Sequence, residues 1–333
     1  MSATRARVPA AAGARRRRIL LAIATLILLG MSPILGHHLA GGMDRLLVET
    51  DHVGALCLIA LHTLLRPVHD LFHLLLALGV AFAAWDRVHA SWLLRRTLAG
   101  VAWQRPQPGS GIERAAVTAG VDPTIARVAP GLPVPAFTAG WLRPRIYLAR
   151  ELEERLTAEE LAAVVAHEGA HAARRDPLCL SILRFLGHTL FWIPVLRRLA
   201  QDCADEAEIC ADDAARREQP LALASAILAV AEWSPAVPRR VGVGLHHPDL
   251  LARRVRRLTG EEVPPRSHVT RRSVLGAAGM LLLVWLTGVV MAHPLPDGHT
   301  HPTHCEHDGS PAWTHLLCAR SQSGPAPESC PHA

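Results

Sequence analysis

Long apolar segments bordered by arginine constrain the fold of this chain most strongly. Residues 19–35 contain no charged residue and follow four consecutive arginines at 15–18. A second apolar segment, 68–85, is followed closely by arginine. A third, 273–292, is directly preceded by arginine. An apolar segment of about 20 residues spans a bilayer, and arginine accumulates on the cytoplasmic side. These segments predict a polytopic membrane protein with a cytoplasmic N-terminus.

The residues before the second predicted span allow more than one interpretation. The apolar run 53–65 is short for a span and is followed by Arg66-Pro67. We interpret it as an apolar helix on the outer side that breaks at the proline. A single long span with a proline kink, or a hairpin, is the alternative.

The predicted spans divide the chain into four regions. They are an N-terminal membrane region at 1–103, a cytoplasmic-side domain at 104–272, a final transmembrane helix at 273–292 and an outer tail at 293–333. Within the second region, the apolar residues 178–196 predict one helix, either membrane-embedded or in the core. The tail is rich in His, Cys and Pro, so it either binds a metal ion or is a disordered segment.

Composition excludes several classes of protein. Half of the residues are hydrophobic, which excludes a chain disordered throughout. All 35 basic residues are Arg, so the chain lacks the Lys that a Walker A loop, a Schiff base or a Ser-x-x-Lys acylation site requires. Only one Tyr is present and basic residues are not interleaved with aromatic ones, so we expect no direct binding of nucleic acid.

The sequence His167-Glu168-Gly169-Ala170-His171 carries the strongest chemical signal. A Thr-x-x-Glu capping box at 157–160 begins a helix, and Asp176-Pro177 ends it, so the motif falls within a helix. Two His at positions i and i+4 share a helix face and can hold one Zn²⁺, while the Glu takes a proton from the attacking water. The alternative is a pair of solvent-exposed His on an ordinary helix.

A catalytic zinc ion needs a third protein ligand and one open position. Glu208 lies far enough downstream for the chain to return as an antiparallel helix, and Asp212 shares its helix face. Glu208 is the predicted ligand and Asp212 the predicted acceptor for a ligand His N–H. Glu206 is the rival ligand, and we interpret Cys203 and Cys210 as helix-packing residues. The alternative for the whole stretch is a solvated acidic face.

Short strands are predicted at 134–140 and 144–149, the only region with a β pattern. Ala136, Phe137 and Thr138 could pair with an extended substrate by β-augmentation. A purely structural strand is the alternative.

These motifs together resemble the BlaR/MecR family of integral-membrane zinc metallopeptidases. The resemblance rests on Pro135–Gly140, Pro144–Leu148, Leu156–Leu161, His167–His171 and Arg175–Leu178, and the element Glu208-x-x-Ala211-Asp212 is similar to a motif of the HtpX and CAAX-protease group. It implies a mainly α fold with a small β element and one Zn²⁺ held by His167, His171 and Glu208. By the same resemblance Glu168 is the general base, and Asp212 supports a ligand.

The resemblance also implies a role. The expected substrate is a cytoplasmic protein, in this family a BlaI-like transcriptional repressor cleaved in signal transduction, and the lipid bilayer is the other partner. Quality control of membrane proteins, as in the HtpX group, and a non-enzymatic metal-binding receptor are the alternatives. The tail 293–333 is too short for the family's outer penicillin-binding domain, so no covalent β-lactam sensing is expected.

Overall fold

The computed structural model describes residues 19–27, 52–216, 220–233, 248–264 and 266–292. Within these ranges the protein is mainly helical and contains one small three-stranded sheet. The predictions for residues 28–35 of the first apolar segment and for the tail 293–333 lie outside the described residues.

Three apolar helices pack against one another. Helix α1 covers 19–27, α2 covers His52–Ala99 and α10, the last described helix, covers Arg271–Ala292. The Trp285 Nε1–H of α10 donates to the Leu26 carbonyl of α1 at 3.2 Å. Of the described helices, two contain segments long and apolar enough to cross a membrane, namely Ile59–Ala99 of α2 and all of α10.

Helix α2 runs through Pro67 without a break, so the predicted interruption at Arg66-Pro67 is wrong. A proline within a helix removes one backbone hydrogen bond and its ring crowds the carbonyl four residues earlier, which together cost about 3 kcal/mol. Apolar residues continue on both sides of Pro67 and keep the helix intact. The helix has 48 residues and is about 72 Å long at 1.5 Å per residue. It is therefore more than twice as long as a hydrocarbon core of about 30 Å is thick.

The sheet consists of β1 (Ala126–Ala129), β2 (Ala136–Ala139) and β3 (Arg145–Ala149), in the order β1-β3-β2. Strand β2 pairs antiparallel with β3, and β1 pairs parallel with β3. Two of these strands lie in the predicted β region, whereas β1 has no alternating pattern and was missed. Strand β2 is an edge strand, so one side of its backbone is free of other described strands.

The main core lies between the sheet and the helices beside it. Those helices are α3 (Gly111–Thr118), α4 (Leu152–Arg155) and α5 (Ala158–Arg174). Ile146, Leu148 and Leu152 are fully buried in the same cluster as Val165 of α5. Burial of each such side chain contributes about 1.5–3 kcal/mol, so the sheet serves as a rigid support for α5.

The apolar stretch 178–196 forms parts of two helices, so the prediction of a single helix there is wrong. Helix α6 covers Asp176–Thr189 and α7 covers Pro194–Ala215. The turn between them buries Leu190 and Ile193, which explains its hydrophobicity without a membrane span. Helix α6 packs closely on α2, because a Cβ added at Gly79 would lie 2.0 Å from the Thr189 carbonyl oxygen.

Two further helices complete the described part. Helix α8 covers Pro220–Trp233 and packs against α5, and α9 covers Pro248–Leu258 and packs against α7 and α8. Helix α9 carries Arg253, Arg254, Arg256 and Arg257, of which Arg254 is buried. The predicted final span 273–292 coincides with most of α10.

Candidate metal centre

Helix α5 presents both motif histidines to the protein interior. Its N-terminus has the predicted capping box, because Thr157 accepts from the Glu160 N–H and Glu160 accepts from the Thr157 N–H. His167 and His171 are 8% and 9% exposed, and their rings lie on the same helix face with centroids 4.8 Å apart. The alternative of two solvent-exposed histidines is therefore excluded.

Glu208 of α7 lies opposite this pair of imidazoles. The two Nε2 atoms are 3.2 Å apart, and Glu208 places Oε2 3.6 Å from His167 Nε2 and Oε1 3.6 Å from His171 Nε2. One donor atom from each residue lies within 4.8 Å of the others. Donors bound to one tetrahedral zinc ion at 2.0–2.1 Å are about 3.3 Å apart, so these three residues are suited to hold a metal ion.

Carboxylates contact the outer nitrogens of both imidazoles. His171 Nδ1–H donates to Asp176 Oδ2 at 2.8 Å, and His167 Nδ1 lies 3.1 Å from Asp212 Oδ1 in a less well aligned contact. A carboxylate beside Nδ1 assigns the proton to that nitrogen, which leaves a lone pair on Nε2. Two lone pairs and a carboxylate facing one another repel, unless a cation lies between them.

The structure distinguishes the predicted ligand from its rivals. Glu208 joins the His pair, whereas Glu206 and the two cysteines do not belong to any metal-ligating cluster found among the described residues. Cys203 is buried in an apolar cluster, as predicted. Asp176 contacts His171 although its sequence context indicated only the end of a helix. Arg175 before it has a left-handed backbone (φ 53°), and this turn brings Asp176 back toward α5.

Arg254 of α9 is a residue that the sequence did not single out. It is 3% exposed and contacts two carboxylates of α7, those of Glu208 and Asp212. Nε and Nη2 donate to Asp212 at 2.8 and 2.7 Å, and Nη1 lies 2.9 Å from Glu208 Oε2. In the sequence it is one of four arginines at 253–257, which together are typical of a cytoplasmic charge cluster. Of these four, Arg254 alone is buried in the structure.

The charges of the cluster are strongly coupled. Burial lowers the pKa of His167, but the adjacent Asp212 and Glu208 outweigh burial and raise it to about 9. Burial raises the pKa of Glu208 and of Asp212, yet His167 and Arg254 outweigh it and bring both to about 2. The carboxylates are therefore ionised, and the space between the imidazoles favours positive charge, either a proton or a metal ion.

Glu168 is half-buried beside this cluster and contacts the sheet. The Thr138 hydroxyl lies 2.7 Å from Glu168 Oε2 and 3.0 Å from the Glu168 carbonyl oxygen, so it can donate to either. Thr138 belongs to the edge strand β2, in which Phe137 stacks on Tyr147 of β3 at 5.0 Å. This contact connects the only predicted β element directly to the motif helix.

A cavity of about 570 Å³ adjoins these groups. Its lining includes His167, Glu168, His171 and Glu208 and residues Ala136 to Thr138 of the edge strand. From α2 it includes Arg87, Ala90, Ser91, Leu93 and Leu94. An extended peptide is the shape of ligand that can lie along β2 and reach Glu168. The cavity therefore places the predicted substrate strand and the predicted catalytic residues around one space.

Comparison with known protein families identifies a relationship. A family model described as BlaR1 peptidase M56 matches residues 75–258. This range covers more than half of the chain and contains every residue of the cluster described above. No curated protein and no solved structure matches the chain.

Proposed function

The chain belongs to the BlaR1 peptidase M56 family, and we propose that it is a multi-pass membrane zinc endopeptidase that cleaves a cytoplasmic protein. The family indicates a membrane-associated metallopeptidase, and the buried cluster of His167, His171 and Glu208 is suited to a metal ion. One observation carries the proposal further: both Nδ1 atoms face carboxylates, so both Nε2 lone pairs point at Glu208.

Zinc is the metal we propose for this site. Two neutral imidazoles and one carboxylate are a common ligand set of catalytic zinc, and they leave a position open for substrate and water. A structural zinc site is usually closed by four protein ligands, whereas the described residues supply three. When bound, zinc would supply Lewis-acid polarisation of the peptide carbonyl and activation of the attacking water.

The chain's own groups supply proton transfer and orientation. Glu168 takes a proton from the attacking water and delivers it to the leaving amine. Thr138 holds one oxygen of that carboxylate, which leaves the other for the water. The free edge of β2 hydrogen-bonds an extended substrate, and Asp212 and Asp176 orient the ligand imidazoles. Arg254 bonds to the carboxylates and acts as a positioning residue.

The proposed topology puts the N-terminus and the site in the cytoplasm and the tail 293–333 outside. In the sequence, the residues of the site lie between the C-terminal end of α2 and the N-terminal end of α10. Both ends carry adjacent arginines, Arg95 and Arg96 on one helix and Arg271 and Arg272 on the other, which favours the cytoplasmic side for both. The residues of α2 that line the cavity, of which Arg87 is the first and Leu94 the last, then follow the proposed span 68–85 directly.

We further propose that the substrate is a regulatory protein, in this family a BlaI-like repressor, and that nucleic acid is not bound directly. The test compares the wild type with Glu168→Gln in the host membrane by mapping new protein N-termini. Glu159→Gln, an exposed position on the same helix, is the matched control. New N-termini seen in the wild type and the control only would support proteolysis.

The identity of the cleaved proteins separates the candidate roles. A repressor among them supports signalling, and many damaged membrane proteins support quality control instead. Purified His167→Ala should lose zinc, measured by elemental analysis, whereas Glu168→Gln should keep it. Identical N-termini in all three strains, at rest and under envelope stress, would refute the peptidase.

A further inference from the structure

Three arginines outside the metal centre line the cavity. They are Arg87 of α2, Arg184 of α6 and Arg197 of α7. The carboxylates that line the same cavity are Glu168, Asp176 and Glu208, and all of them belong to the metal centre. The mechanism described above uses none of the three arginines.

One carboxylate only partly neutralises these arginines. Asp86 contacts Arg87, and its Oδ2 lies 3.6 Å from Arg184 Nε and 3.4 Å from His188 Nδ1. Asp86 therefore lies beside two of the three guanidinium groups, and Arg197 has no ion pair among the described residues. The three arginines and this one carboxylate leave a net positive charge in a cavity that already excludes part of the solvent.

The titratable groups of α6 respond to this excess charge. Burial lowers the pKa of Arg184, and Arg87 and Arg197 lower it further against the opposing effect of Asp86. Burial also lowers the pKa of His188; Asp86 opposes this effect, and the three arginines add to it. A positive potential in a partly desolvated cavity attracts an anion more strongly than an exposed arginine does.

Resting on the proposed function, we propose that Arg184 and Arg197 bind an Asp or Glu side chain of the protein substrate. The enzyme would then select cleavage sites with an acidic residue close to the scissile bond. A peptide is favoured because the edge strand β2, Glu168 and these arginines line the same cavity, so they face one space that an extended chain can occupy. Guanidinium groups bind carboxylates through paired charge-assisted hydrogen bonds.

The test uses the full chain, loaded with zinc, in nanodiscs of phosphatidylcholine, which carries no net charge. The probe is a randomised library of synthetic peptides whose cleavage products are identified by mass spectrometry. We expect the wild type to prefer Asp or Glu over Asn or Gln at one position by about tenfold, as a charge-assisted bond implies. The preference should shrink as NaCl rises from about 50 to 500 mM, because salt screens the partly exposed arginines.

Substitutions test whether Arg184 and Arg197 cause the preference for acidic residues. In Arg184→Gln/Arg197→Gln the acidic-to-neutral ratio should fall to about one, and in Arg184→Glu/Arg197→Glu it should invert toward Lys and Arg. Arg114→Gln, an exposed arginine of α3, should keep the wild-type ratio. Zinc content and melting midpoint check that each variant folds. In Glu168→Gln protein, a fluorescein-labelled acidic peptide should bind more tightly than its amide counterpart.

The outcomes separate the two proposals. Peptide cleavage without a salt-sensitive acidic preference overturns the acidic subsite and leaves the peptidase standing. An acidic preference that persists in Arg184→Gln/Arg197→Gln also overturns it. Loss of co-purified phosphatidylglycerol in that variant, with peptide preference unchanged, would assign the arginines to a lipid phosphate instead. No cleavage of any peptide by zinc-loaded wild type counts against the peptidase, and the subsite falls with it.

Discussion

Replacing Arg254 by Met tests whether the cluster depends on a buried cation. The guanidinium donates two hydrogen bonds to Asp212 and approaches Glu208 Oε2 at 2.9 Å, and it is 3% exposed. Met preserves much of the side-chain volume but leaves two buried carboxylates without their partner. Removing one member of a buried ion pair costs about 3–5 kcal/mol, because the remaining charge is desolvated and unpaired. At about 2–4 °C per kcal/mol, the melting midpoint should fall by roughly 10 °C.

A bound metal ion should reduce this effect. A divalent cation beside Glu208 supplies positive charge that the lost guanidinium no longer provides. The midpoint of the Arg254→Met variant should therefore fall further in chelator than in excess zinc, and the gap between the two conditions should exceed that of the wild type. Differential scanning fluorimetry of the detergent-solubilised full chain measures both midpoints.

Arg257→Met is the matched control for this measurement. Arg257 lies on the same helix and pairs with Asp213 at 2.9 Å, but its side chain is 25% exposed. Partly exposed ion pairs contribute about 0–1 kcal/mol, so its midpoint should move by at most a few degrees. Equal shifts for both variants would refute the argument that the buried network around Arg254 stabilises the site.

Three further outcomes are expected. Thr138→Val should lower kcat about tenfold or more, with KM and zinc content little changed, because the hydroxyl orients Glu168. Thr138→Ser keeps the hydroxyl and should have a kcat close to that of the wild type. A wild-type kcat for the Val variant in a peptide assay would contradict this role. Gly79→Ala should lower the free energy of unfolding by about 1–3 kcal/mol or more, since the added Cβ would lie 2.0 Å from a backbone oxygen of α6. A Cβ added at Gly276 meets open space, so Gly276→Ala is the control in the same melting assay. In protein freed of metal by a chelator, the His167 pKa of about 9 lies above its ordinary value of 6.5. The stability that this proton contributes is therefore full below pH 6.5 and is lost as the pH rises through 9. Zinc should replace the proton, so melting midpoints that fall equally steeply with pH in the presence and absence of zinc would argue against that exchange.

The motif helix could be predicted in detail because its determinants are local. A capping box, two His at i and i+4 and a following Asp-Pro all act within a few residues along the chain. The pairing of β2 with β3 was equally accessible, since the two strands are joined by a short turn at Gly140, whose φ is +110°. Strand β1 was missed because its pairing with β3 is parallel and bridges a longer separation.

The errors have a common physical origin. Hydrophobicity indicates burial, but it does not distinguish lipid from a protein core, so the residues 178–196 resembled one helix although a buried turn divides them. Pro67 indicated a break because a proline within a helix costs about 3 kcal/mol, yet the long apolar run on both sides of it continues as one helix.

By itself, the sequence determined the chemistry that α5 can perform, because two imidazoles at positions i and i+4 share one helix face and the carboxylate of Glu168 lies next to them wherever that helix lies. Only the tertiary structure decided which distant groups complete the site. It selected Glu208 over Glu206, placed Asp176 on His171, buried Arg254 against two carboxylates and brought Thr138 to Glu168. These contacts join residues from five separate elements, and their geometry depends on how those elements pack, which no local spacing encodes.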